Sequence, residues 1–126
     1  MVARCNYSNF RYYQAIISTT YSNIDVINGL DIDTLGCKSL TFDVEIGGVN
    51  NPFFRIEMEH ADEVSKYTKV PKNDILISNT DLQVVYEGGK RYVRLMIEPC
   101  NKMDTVDNSY YISGVAILEQ LPDWSL

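Results

Sequence analysis

The sequence predicts an all-β domain: an antiparallel β-sandwich or jelly-roll-like barrel with short loops and extended termini. Three observations predict it. Apolar residues recur at every second position, as in Leu40, Phe42, Val44 and Ile46, the period of a strand with one buried face. Turn signals separate these segments, as in Gly47-Gly48-Val49-Asn50-Asn51-Pro52, where glycine and proline punctuate the chain. Nine tyrosines and four phenylalanines accompany many Val, Ile and Thr, residue types that fit a pleated, half-buried surface.

Taken in order, Gln14–Thr20 fits either a strand or a short helix. Ile24–Ile27 reads as a strand, Asn28-Gly29 as a turn and Leu30–Asp33 as an extended piece. Ser39–Ile46 turns Thr41, Asp43 and Glu45 outward. Phe53–His60 alternates again, with Phe54, Ile56 and Met58 opposite Arg55, Glu57 and Glu59, and pairs with the preceding strand as a hairpin. Ala61–Tyr67 is a charged loop or helical turn, 70–74 is a turn, Ile75–Ile77 is a short apolar piece and Leu82–Tyr86 is a short strand. Glu87-Gly88-Gly89-Lys90 has the composition of a tight hairpin turn into Arg91–Glu98. Val93, Leu95 and Ile97 share one face of that strand, and Pro99 stops it. Cys100–Ser109 is a polar loop and Tyr110–Leu118 the last strand, in which Gly114 marks a bulge or a close approach. Leu40, Phe42, Val44, Phe54, Ile56, Val93, Leu95 and Ile97 are expected in one core, because a one-residue slip would expose the whole set.

A chain of 126 residues fits one domain, able to bury roughly two-thirds of the surface it exposes when unfolded. Seventeen acids against eleven bases leave a net charge of −6, which repels a phosphate backbone unless the bases cluster. Lys90, Arg91 and Arg94 form the only tight basic group, flanked by Glu87 and Glu98, so no nucleic-acid partner is expected. Cys5, Cys37 and Cys100 are odd in number and show no paired spacing, which favours free thiols over a disulfide framework or a zinc site. No apolar run resembles a secretory signal or a membrane span. Neither a membrane partner nor export is expected.

No residue pattern points to catalysis, a cofactor or a metal. His60 is the only histidine, beside Glu59, Asp62 and Glu63, and fits a solvated acidic loop better than a metal site. Asp31-x-Asp33 before Gly36 lacks the further ligands of a calcium loop. Cys100 has no local histidine signature. Gly47-Gly48 and Gly88-Gly89 lead into strands, not into the helix N-termini that cradle phosphates.

The order of motifs carries a resemblance. Thr34-Leu35-Gly36-Cys37-Lys38-Ser39-Leu40-Thr41-Phe42 precedes an alternating strand, a Gly-rich turn and the acidic run Glu59-His60-Ala61-Asp62-Glu63. Tyr86-Glu87-Gly88-Gly89-Lys90-Arg91-Tyr92-Val93-Arg94-Leu95 follows, then Gly114–Leu118 and a Pro-containing tail. This order resembles small structural proteins of tailed bacteriophages and prophages, whose pattern runs LGxxSLTF, an acidic turn, then GxKRYVR. The resemblance covers the last three-quarters of the chain and is best at Gly89–Arg94. It implies a virion component assembled in the host cytoplasm: a capsid auxiliary or decoration protein, or a head–tail connector piece. The implied partners are the major capsid protein and neighbouring virion subunits, with a small homo-oligomer expected and no enzymatic activity. Residues 1–13 and 119–126 are the expected docking tails. Phe10, Tyr12, Tyr13, Arg91, Arg94, Tyr110 and Trp124 are the expected interface residues, since aromatics and arginine anchor most interfaces. The competing expectation is a carbohydrate- or receptor-binding sandwich, with Tyr12, Tyr13, Tyr110 and Tyr111 stacking on sugars.

Overall fold

A computed structural model of the chain describes residues 9–22, 26–48, 54–71, 75–77, 81–99 and 109–121. Ten strands are described: β1 (Phe10–Ser22), β2 (Ile27–Asn28), β3 (Ile32–Asp33), β4 (Cys37–Gly48), β5 (Phe54–Ala61), β6 (Thr68–Lys69), β7 (Ile75–Ile77), β8 (Asp81–Tyr86), β9 (Tyr92–Pro99) and β10 (Ser109–Gln120). They form two antiparallel sheets, one in the order β1-β10-β4-β8 and one in the order β2-β9-β5-β6. In the second sheet β3 also pairs with β9, and β7 with β5. The fold is all-β and sandwich-like.

The alternation in the sequence produces the core between the sheets. Leu40, Phe42, Val44 and Ile46 of β4 meet Phe54, Ile56 and Met58 of β5 and Val93, Leu95 and Ile97 of β9 in one buried cluster. Each fully buried side chain of this size contributes about 1.5–3 kcal/mol relative to exposure. β10 adds Ile112, Ala116 and Leu118, and β1 adds Ala15 and Ile16. Gln14–Thr20 is strand, not helix, and lies within β1.

Two departures from strict alternation are bulges. Ala15 and Ile16 are consecutive yet both buried, because the register of β1 against β10 shifts between Gln14 and Ile16 and again before Thr19. Gly114 lies opposite that shift, where a Cβ would stand 3.0 Å from Ile16 Cγ1 and 3.3 Å from its Cβ. The close approach expected at Gly114 is therefore present. Gly114→Ala should cost about 1–2 kcal/mol in urea unfolding, since Ile16 must give way in a packed core; an unchanged midpoint would show the contact to be soft.

The second departure corrects the turn expected at Asn28-Gly29. Asn28 pairs with Met96 and Ile32 with Val93, so four steps on one strand oppose three on β9. The extra residue is a bulge, and it lets Ile27 and Ile32 both face the core despite their odd spacing.

Both expected hairpins are also corrected. β4 pairs with β10 and β8, whereas β5 pairs with β9, β6 and β7. β8 likewise lies in the first sheet and β9 in the second. The links after β4 and after β8 therefore cross between sheets. A crossing of this kind keeps the same faces inward as a hairpin does, so alternation does not separate the two. The expected loop 100–108 and the turn at 72–74 lie outside the described residues.

Candidate functional site

The two outer faces of the sandwich differ in chemistry. On the second sheet the register places opposite charges side by side. Glu59 is opposite Arg94, and Arg55 is opposite Glu98. Arg94 Nε donates to Glu59 at 2.8 Å, and Arg55 lies 3.8 Å from Glu98. Lys69 on β6 reaches Glu57, a buried carboxylate, at 2.9 Å. Arg94 also stacks over Tyr67, 4.1 Å from the ring centre, and Tyr67 donates its hydroxyl proton to Asp31. Burial first, and that hydrogen bond second, push the Tyr67 hydroxyl well above its usual pKa. This face neutralises itself.

The basic group Lys90, Arg91 and Arg94 belongs to the same system. Lys90 meets Asp62 at 2.9 Å. Arg91 donates from Nε and a terminal nitrogen to the two oxygens of Asp33, at 3.0 and 2.9 Å. Those bonds, with the backbone N–H of Leu35, hold the Asp33 carboxyl below the usual carboxylate range. The group is thus three ion pairs rather than a bare cationic patch.

The outer face of the first sheet is different. Tyr12 pairs with Ile117, Ile117 with Thr41, and Thr41 with Val85, so these four side chains form one row across β1, β10, β4 and β8. Tyr12 is 66% and Val85 52% exposed, values that put large apolar groups in water. Phe10 and Val115 lie in the neighbouring rows on the same face and are also exposed. The adjoining rows carry Gln14, Val115, Asp43 and Gln83, then Ser113, Glu45 and Asp81. An exposed apolar patch rimmed by polar groups is the signature of a contact surface.

The expected interface residues do not form one site. Phe10 and Tyr12 share the first sheet's outer face, within β1 rather than in a free tail. Glu119 and Gln120 of the other expected tail are also strand residues. Tyr13 points to the other side of β1, into a groove of about 340 Å³ lined by Gln14, Leu30, Asp31, Ile32 and Asp33. Arg91 and Arg94 lie with the second sheet, held by Asp33 and Glu59. Tyr110 lies in β10 opposite Tyr21 and Gly48, and its side chain is outside the described residues, as is Trp124. The sequence reading missed Val85, Val115 and Ile117, whose signal is an apolar residue at an outward position of an otherwise alternating strand.

Among the described residues no group of three or more His, Cys, Asp or Glu side chains is gathered to hold a metal. Cys37 is a half-buried free thiol, its pKa raised by burial and by the nearby Asp33 charge. No protein-family model matches the sequence, and no curated protein matches it significantly.

Proposed function

We propose that this protein is a structural docking protein that binds the capsid lattice of a tailed phage as an auxiliary or decoration subunit. The observation that carries the docking reading is the apolar row Tyr12, half-buried Ile117 and Val85, flanked by exposed Phe10 and Val115, on a four-stranded sheet. A sheet presents such a row without ordering a loop on binding, so less entropy is lost at the interface. The capsid as partner comes from the motif order Leu35–Phe42, Glu59–Glu63 and Gly89–Arg94. A head–tail connector role would use the same face.

The carbohydrate reading is less well supported. Tyr12 pairs with Ile117, and Tyr111 lies six residues away along β10, about 20 Å at ~3.4 Å per residue. The two rings are too far apart to clamp one sugar.

The test is co-sedimentation of the purified protein with capsids of its source assembled without it. The wild-type protein should pellet with capsids and saturate. The double substitution Tyr12→Ser, Val85→Ser should weaken binding by at least about tenfold, as expected for removal of an interface anchor, with circular dichroism unchanged. A wild-type protein that stays in the supernatant at every concentration sinks the capsid reading.

A further inference from the structure

We infer that the outer face of the four-stranded sheet docks onto a protein surface that combines apolar side chains with lysine or arginine, and that it does not dock onto a second copy of this chain. The inference deepens the docking reading above and rests on it. Four acidic side chains share this face by register: Asp43 and Glu45 on β4, Asp81 opposite Glu45, and Glu119 opposite Phe10 and Ser39. Among the described residues no lysine or arginine is placed on it. Asp43 and Glu45 have no ion-pair partner among the described residues, whereas Glu119 lies 3.7 Å from Lys38 at the sheet end.

The contrast with the second sheet gives this arrangement its meaning. There, Glu57, Glu59 and Glu98 each have a cation within 4 Å. The chain thus has bases available and places them where they cancel its own acids. On the first sheet it leaves two carboxylates beside the apolar row Tyr12–Ile117–Thr41–Val85. Two copies laid face to face through this sheet would bring acids against acids, and burying like charges together is costly. A partner with apolar groups facing the Tyr12 row and cations facing Asp43 and Glu45 meets no such penalty. Its approach is also accelerated by attraction that salt weakens.

The test places a photoreactive benzophenone amino acid at Val85 in the full chain, with Lys66, exposed in the loop after β5, as the control position. Irradiation is done in the producing cells, and adducts are mapped by mass spectrometry. The expected result is an adduct from position 85 to a segment of another protein rich in lysine or arginine. Its yield should fall several-fold when Asp43→Asn and Glu45→Gln are added, and the fall should shrink when lysates of the same cells are irradiated at high instead of low salt. An adduct from position 85 to a second copy of the chain overturns the inference, as does one to a segment without cations. Adducts from position 66 alone, or from neither position, also overturn it. If the mapped partner is cationic but is not a capsid component, the capsid reading fails and this inference stands.

Discussion

Gly29→Ala should lower the stability of the domain by about 3 kcal/mol, within the range for overpacking combined with the loss of buried hydrogen bonds. Gly29 and Leu30 stitch the two sheets together. Gly29 N–H donates to Leu95 O of β9 at 2.7 Å, and Leu30 N–H donates to Ala15 O of β1 at 2.8 Å. A Cβ on Gly29 would lie 2.7 Å from Ala15 O, 3.0 Å from Leu95 O and 3.2 Å from Ile16 Cδ1. Two of these neighbours are backbone atoms, so a strand must move rather than a side chain. The strand with most freedom is β1, an edge of its sheet, and it carries Phe10 and Tyr12. The same substitution should therefore weaken docking as well as folding. Gly47→Ala is the matched control, because nothing lies within 4 Å of a Cβ built there. Urea unfolding of the two variants should separate them clearly; equal midpoints would mean that the stitch between sheets bears no load.

Alternation made the strands and the core legible because it reports which side chains point inward. It carries no information about which strand lies alongside. Both errors of topology, at the links following β4 and β8, come from that gap, and the error at Asn28-Gly29 comes from a bulge that only the Ile27 and Ile32 positions betray. The contact face was legible in part for the same reason. Phe10 and Tyr12 stand out as aromatics near a chain end. Val115 and Ile117 do not, because among Ile112, Ala116 and Leu118 they extend what reads as one buried run. Arg91 and Arg94 looked like anchors because their carboxylates, Asp33 and Glu59, are 58 and 35 residues away in sequence. Only a sheet register brings such charges together.

Tyr86→Phe should cost about 1–2 kcal/mol through lost part-buried hydrogen bonds, while the stability of the wild type should fall as the pH drops through the histidine range, a loss that belongs to His60. Tyr86 sits at the end of β8, where the chain leaves the first sheet, and His60 near the end of β5 in the second. The Tyr86 hydroxyl oxygen accepts the N–H of Lys90 at 2.9 Å and lies 2.8 Å from His60 Nδ1. The hydroxyl can donate to a bare Nδ1 or accept from a protonated one, so the contact fits either charge state of the imidazole and the burial of His60 decides between them. Burial, and next the charge of Lys90, lower the His60 pKa, while Asp62 opposes them. The folded state therefore binds fewer protons than the unfolded state just below the ordinary histidine value of about 6.5. Stability contributed by this group is complete above that value and is lost as pH falls toward the lowered folded pKa. Asp33, held low by Arg91, adds an acid loss only below the carboxylate range. His60→Asn keeps an acceptor near Nδ1 but does not titrate, so its melting temperature should stay flat from pH 7.5 to 5 while that of the wild type declines. Gly88→Ala gives an independent route to the same clasp, because a Cβ there would overlap the Tyr86 ring and expel it from both bonds. It should lose at least as much stability as Tyr86→Phe. A wild-type melting temperature that does not change over this pH range, or that rises on acidification, would show that folding does not lower the His60 pKa, and a Tyr86→Phe variant as stable as the wild type would show that the His60–Tyr86 contact does not hold the arch between the sheets.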